Sequence, residues 1–245
     1  MAVKQERSLE RDAQKASDRA DINRIVAVKA GPVTLDGALY LPRNAKGLVV
    51  FVHGSGSSRT SPRNQYIAGA LQQAGLGTLL FDLLTPEEEE IDLRTRHLRF
   101  DIGLLARRTI GAADWLHEQA ETRQLKLGFF GASTGAAAAL ITAAERPEIT
   151  GAVVCRGGRP DMAKDALPHI QAPTLLIVGQ LDFPVIQVNE QALEQMSPKT
   201  VNEITMVPGA THLFEEPGAL EYVAHLATNW FKQYLRSEPD LFNKD

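Results

Sequence analysis

Ser133 stands in Gly131-Ala132-Ser133-Thr134-Gly135, between the β-rich run 126–130 and a small-residue stretch that opens with Ala136-Ala137-Ala138-Ala139. A strand that turns sharply into a helix thrusts the residue at the turn outward, and flanking glycines remove the β-carbons that such a turn would press together. The helix N-terminus behind it favours developing negative charge. A serine hydroxyl is still a weak nucleophile at neutral pH. It needs a base, and the base needs a third group that holds its tautomer and stabilises its charged form. The later sequence supplies both. Asp182 follows the apolar run 174–178 in Gly179-Gln180-Leu181-Asp182-Phe183-Pro184, and His212 follows the run 201–207 in Pro208-Gly209-Ala210-Thr211-His212. Taken singly, each residue also fits a plain structural role: Ser133 a turn, Asp182 a helix cap, His212 a loop residue. Taken together, all three fall at the carboxyl ends of strands, which in an open parallel sheet share one rim where ligand sites collect. His97 and His117 accompany a helix-spaced segment, His225 the last such segment and His169 a connection, so none of them follows a late core strand.

A fourth element, His53-Gly54-Ser55-Gly56-Ser57-Ser58, comes directly after the apolar run 47–52. Glycines there let backbone amides face a bound oxygen, and the oxyanion hole is assigned to the amides of Ser55 and Thr134. A phosphate-cradling loop is the competing reading, but the lysine and closing Ser/Thr of a P-loop and the spacing of a dinucleotide fingerprint are both missing. His53 is expected to brace the loop base. Arg156 and Arg159, just past another apolar run, present planar guanidinium forks that suit a substrate carboxylate or phosphate; surface salt bridging is the plainer alternative.

These residues must be held by a sheet. Eight β-rich runs, at 24–30, 33–41, 47–52, 77–81, 126–130, 151–155, 174–178 and 201–207, alternate with helical patterns, a rhythm that implies a mainly parallel sheet covered by helices on both faces. Runs such as Leu48-Val49-Val50-Phe51-Val52 and Leu175-Leu176-Ile177-Val178 lack in/out alternation, which places them centrally. Leu98, Ile102, Leu105, Thr109, Ala112 and Leu116 recur at helical spacing, as do Leu220, Val223, Ala227, Trp230, Phe231 and Tyr234, with Pro217 suited to a first helical turn. The four glutamates at 87–90 are read as a solvated loop, and the four alanines at 136–139 as a helix face that approaches its sheet closely.

Composition agrees with one α/β domain. Apolar residues make up 44% and charged residues 23% of the chain, enough aliphatic surface for a large core. The expected division is a polar N-terminal extension at 1–23, the domain at 24–235 and a C-terminal tail at 236–245. A net charge of −4 advertises no basic face, so neither nucleic acid nor anionic membrane is an expected partner. No run reaches the ~20 apolar residues of a spanning helix. The single cysteine, Cys155, and the absence of an apolar leader at the polar N-terminus make a cytoplasmic location the expectation.

On His53-Gly54, Gly131-Ala132-Ser133-Thr134-Gly135, Asp182 and His212, the chain resembles the α/β-hydrolase superfamily, and within it the small dienelactone-hydrolase-like branch. The resemblance implies a mostly parallel, predominantly eight-stranded sheet and the chain order Ser, Asp, His. Dienelactone hydrolases proper use a cysteine nucleophile; Ser133 holds that position here, and Cys155 falls in another strand as a packing residue. Larger relatives carry a helical cap where this chain has only the short segment 156–173, so an uncapped site is expected, bordered by that segment and by the 83–98 loop. The expected chemistry is hydrolysis of a small-molecule carboxylic ester through an acyl-enzyme on Ser133, with no metal or organic cofactor. Thioester hydrolysis or acyl transfer would use the same intermediate, and a non-catalytic small-molecule binding module is the reading from another class.

Overall fold

The computed structural model describes residues 21–235. Its strands are β1 (Ile22–Ala30), β2 (Val33–Leu41), β3 (Leu48–Val52), β4 (Gly77–Phe81), β5 (Leu127–Ala132), β6 (Thr150–Arg156), β7 (Thr174–Gly179) and β8 (Asn202–Val207). The helices are α1 (Pro62–Gln73), α2 (Pro86–Thr95), α3 (Ile102–Glu118), α4 (Thr134–Glu145), α5 (Phe183–Gln195) and α6 (Ala219–Tyr234), with 3-10 segments at Leu98–Phe100 and Pro160–His169. All eight expected strands are present and form one sheet in the order β1-β2-β4-β3-β5-β6-β7-β8. β1 pairs with β2, and β2 with β4, antiparallel; every later pairing is parallel.

The absence of alternation in the central runs has the expected cause. Every residue of β3, β4, β5 and β7 is buried, because helices cover both faces. On one face α3, α4 and α5 pack over Val50, Phe129, Val153, Cys155 and Leu176; on the other α1 and α6 pack over Val49, Phe51, Phe130, Val154 and Ile177. The alanine face of α4 is wholly buried at Ala136, Ala137, Ala138 and Ala139, as close approach to the sheet requires. The 3-10 segment Pro160–His169 is all the regular structure between β6 and β7, so there is no large cap.

Three details differ from the sequence reading. The glutamates at 87–90 are helical, not a loop: they lie in α2, where Thr85 and Glu88 form a reciprocal capping box, Pro86 occupies the first turn, and Glu87, Glu88 and Glu89 meet the positive end of the helix dipole. Carboxylates suit a solvated loop and a helix N-terminus equally well, and the Thr85 cap decides between them. Pro217 also lies before its helix, because Gly218, at φ 81°, is the residue from which α6 starts. At the domain edge, Ile22 and Asn23 already belong to β1, and Asp21 accepts hydrogen bonds from Tyr40 Oη and the Arg43 amide. The rest of the expected N-terminal extension and the whole 236–245 tail lie outside the described residues. Among the described residues no helix is long and apolar enough to cross a membrane.

Candidate active site

The site begins with the turn from β5 into α4. Ser133 adopts φ 50°, ψ −121°, a conformation that a non-glycine residue holds only when its surroundings enforce it. The enforcement is visible in its neighbours. A β-carbon on Gly131 would lie 2.5 Å from Ala136 Cα, and one on Gly135 would lie 2.2 Å from the Val52 carbonyl oxygen, so only glycine fits either side of the turn. The Ser133 amide donates to the Arg156 carbonyl at 3.2 Å, and the Ser133 carbonyl accepts from the amides of Ala136 and Arg159 at 3.1 and 3.0 Å. The turn is therefore pinned to the end of β6 as well as to its own helix.

Asp182 and His212, thirty residues apart in sequence, come together at this rim. The His212 Nδ1 lies 2.7 Å from Asp182 Oδ2, and the Asp182 side chain is 11% exposed against 40% for His212. Asp182 is the residue from which α5 starts, but its side chain makes no cap hydrogen bond, which leaves the carboxylate to the imidazole. The His212 ring lies over Gly157, the residue after β6: a β-carbon there would come within 3.4 Å of both Nδ1 and Cε1. The loop that carries the histidine is braced on either side, by Glu216 accepting from the Thr211 amide and hydroxyl at 3.0 and 2.5 Å, and by Gln180 Oε1 accepting from the Gly209 amide at 3.1 Å. Among the described residues Ser133 Oγ makes no hydrogen bond.

The loop after β3 approaches from the other side. A β-carbon on Gly54 would lie 3.1 Å from Ser133 Cβ, so the loop crosses in contact with the Ser133 turn. The Ser55 amide donates to Thr134 Oγ1 at 3.1 Å, tying together the two residues assigned to the oxyanion hole. At the loop base His53 is committed at both ring nitrogens: Nε2 accepts from the Leu83 amide at 3.1 Å, which leaves the proton on Nδ1 to donate to the Gly54 carbonyl at 3.0 Å. Burial pushes its pKa below 6.5, only partly offset by the Gly54 hydrogen bond and by Asp82, so the ring is neutral. Arg59 then clamps the far end of the loop to Asp82 through its amide and guanidinium at 2.7 and 2.6 Å. A cleft of about 250 Å³ borders Ser57, Ser58 and Arg59, but Ser133, Asp182 and His212 are not among its lining residues.

The two arginines after β6 have different fates. Arg159 is half exposed and forms a bidentate pair with Asp161 at 2.8 and 2.7 Å. Arg156 is largely buried, and its Nη1 has no partner among the described residues. Burial first, and then the Arg63 guanidinium, push its pKa down to about 10, which still leaves it charged at neutral pH. Cys155 is fully buried, and that burial pushes its thiol pKa up, away from nucleophilic use. Arg63, Glu216 and the Ser55–Thr134 link escaped the sequence reading. They carry no periodic signal, and only folding brings the start of α1 and the loop before α6 together.

Residues 35–236 match the family model of the dienelactone hydrolase family. The chain belongs to that family. Its similarity to a dienelactone hydrolase of known structure from Anabaena variabilis is 62% in sequence, with a TM-score of 0.86 over 89% of this chain and 100% of that one. Est1E from Butyrivibrio proteoclasticus and carboxyl esterase 2 from the fungus Tuber melanosporum share the fold at 15% and 18% identity, with TM-scores of 0.70 and 0.69. They cover 85% and 90% of this chain and 98% and 89% of their own. A relative from Mycobacterium tuberculosis, named a putative phosphoribosyl transferase, is 55% identical over 210 residues, which is 86% of this chain and 46% of the relative. The chain thus spans about half the length of that mycobacterial protein.

Proposed function

We propose that the protein hydrolyses a small-molecule carboxylic ester through an acyl-enzyme on Ser133, with His212 as the base and Asp182 as its orienting carboxylate. The observation that carries this reading is the junction at the β5–β6 rim: a backbone-strained Ser133 pinned to Arg156, beside a 2.7 Å Asp182–His212 pair that lies over Gly157. Membership of the dienelactone hydrolase family supports hydrolysis.

In the first half-reaction His212 Nε2 takes the proton from Ser133 Oγ as the oxygen bonds to the ester carbonyl carbon. The negative charge that develops on the carbonyl oxygen meets the Thr134 amide at the positive end of α4, and the Ser55 amide once it turns from Thr134 Oγ1 to the stronger acceptor. Asp182 stabilises the imidazolium. Collapse breaks the bond to the leaving alcohol, which receives the proton from His212. Water then gives a proton to His212 and bonds to the acyl carbon, and a second collapse releases the carboxylic acid and restores the Ser133 hydroxyl. Leu181, Phe183 and Leu213, all exposed beside Asp182 and His212, offer apolar surface for the organic part of the ester.

The test is intact mass after exposure to a fluorophosphonate, comparing the wild type with Ser133→Ala and a heat-unfolded control. A single adduct on the wild type, lost in Ser133→Ala and after unfolding, is expected, together with turnover of 4-nitrophenyl esters by the wild type. A folded wild type that takes up no label and turns over no ester would replace this reading with that of a binding module.

A further inference from the structure

Thr134 follows Ser133 as the first residue of α4 and is only 3% exposed. A threonine buried in a helix commonly returns its hydroxyl proton to the carbonyl one turn back. Thr109 and Thr142 do so, to the carbonyls of Leu105 and Ala138 at 2.9 and 2.8 Å. The buried Thr122, Thr150 and Thr174 also donate to backbone carbonyls, those of Leu116, Arg146 and Ala172. Thr134 has no helical turn behind it, because the chain before Ser133 is the strand β5. Among the described residues its Oγ1 makes one hydrogen bond, and it makes that bond as the acceptor, from the Ser55 amide at 3.1 Å.

A hydroxyl carries one proton and two lone pairs. The bond from Ser55 uses a lone pair, so the Thr134 hydroxyl proton has no acceptor among the described residues. The Thr134 amide likewise donates to nothing there, as befits the first turn of a helix. Two unused donors therefore belong to the residue next to Ser133, and the Ser55 amide is aimed at the same corner. The corner is held rigidly. A β-carbon on Gly135 would lie 2.2 and 2.5 Å from the carbonyl oxygens of Val52 and His53, and one on Gly54 would lie 3.0 Å from that of Ala132. The loop after β3 and the start of α4 thus meet backbone against backbone, which fixes the Ser55 amide relative to the Thr134 side chain.

We propose that the Thr134 hydroxyl is a third donor to the oxyanion of the reaction, beside the amides of Thr134 and Ser55. The inference rests on the reading of Ser133 as the nucleophile and adds a side chain to an oxyanion hole otherwise made of main chain. At rest the hydroxyl is an acceptor that keeps the Ser55 amide satisfied. As the ester carbonyl oxygen becomes negative, the Ser55 amide turns to it, and the released hydroxyl rotates its own proton onto the same oxygen. The tetrahedral oxyanion has three lone pairs and accepts all three donors. A hydrogen bond to a charged oxygen is stronger than one to a neutral carbonyl, so the gain falls on the transition state and is read in kcat rather than KM.

The experiment measures kcat and KM for 4-nitrophenyl acetate and inhibition by benzyl trifluoromethyl ketone, whose adduct with a serine carries the oxyanion of the tetrahedral intermediate. It uses the wild type, Thr134→Val, which keeps the side-chain shape without the hydroxyl, and Thr134→Ser, which keeps the hydroxyl. Each is checked for folding by its melting transition and for active sites by fluorophosphonate labelling. Thr134→Val is expected to lower kcat by about 10–100-fold, at or below the scale of one main-chain donor, with KM hardly moved. Affinity for the trifluoromethyl ketone should fall by a similar factor, and Thr134→Ser should restore most of both losses. A hydroxyl that serves only as the resting acceptor of Ser55 would instead compete with the oxyanion for that amide, and its removal would leave kcat unchanged or raise it. Folded Thr134→Val with wild-type or higher kcat and inhibitor affinity therefore overturns the third donor, while labelling of Ser133 leaves the hydrolase reading standing. A loss that spares inhibitor affinity, or that Thr134→Ser does not restore, overturns it equally. If the folded wild type takes no label and turns over no ester, the hydrolase reading falls and the third donor falls with it.

Discussion

Replacing Asp182 by asparagine separates a catalytic carboxylate from a helix-start residue. The wild-type contact is 2.7 Å from Oδ2 to His212 Nδ1. In the transition state the imidazole becomes cationic, with charge centres ~4 Å apart, and at an effective dielectric constant near 20 the attraction is about 4 kcal/mol. The His212 side chain is 40% exposed, and screening by water reduces this to about 3 kcal/mol. An asparagine amide can also donate to Nδ1 and so hold the ring in the tautomer that has no lone pair toward Ser133. Together these effects predict a loss of roughly 10²–10³-fold in kcat/KM. Stability should hardly change, because the Asp182 side chain makes no cap hydrogen bond while its carbonyl still accepts from Val185 and Ile186. The assay is steady-state hydrolysis of a 4-nitrophenyl ester, read beside urea unfolding, with Ser133→Ala as the inactive reference. If folded Asp182→Asn keeps a third or more of wild-type activity, the orienting role is wrong and Asp182 serves only the start of α5.

The remaining predictions concern the elements that hold the site. Because burial lowers the pKa of His53 below 6.5, the unfolded chain binds a proton that the folded one rejects, so this residue's contribution to stability is complete above pH 6.5 and declines as pH falls below it. His53→Leu should flatten that dependence in urea unfolding from pH 5 to 7. It should also cost about 2–4 kcal/mol, because the Leu83 amide and the Gly54 carbonyl lose their partner. Gly135→Ala and Gly69→Ala should act in opposite directions in thermal unfolding. The first drives a β-carbon to 2.2 Å from the Val52 carbonyl and costs about 3 kcal/mol or more, whereas the second has open space in α1 and gains about 1 kcal/mol. Equal melting temperatures for the two variants would remove the case that close packing enforces the Ser133 turn.

Much of the architecture can be read in the chain because its signals are local. A strand buried on both faces must be apolar throughout, as β3 and β7 are, and a helix laid close against a sheet must be small on that face, as Ala136 to Ala139 are. The positions of Ser133, Asp182 and His212 at strand ends follow from the same local logic, since each interrupts an apolar run with turn residues. The glutamates at 87–90 show where that logic is ambiguous: carboxylates serve a loop and a helix start alike, and the Thr85–Glu88 capping box selects the helix.

What belongs to tertiary structure alone is every relation between groups distant along the chain. The contact of Asp182 with His212, the donation of Ser55 to the Thr134 hydroxyl, and the pairing of Arg63 with Glu215 all depend on strand order and register. Composition and periodicity carry no information about which two loops will share a rim. The fate of a charge is decided in the same way. Arg156 and Arg159 are three residues apart and look alike in sequence, yet one buries an Nη1 that has no partner among the described residues and the other meets Asp161 at the surface. Residue type sets the charge, but burial and the geometry of its neighbours determine whether that charge is satisfied within the fold.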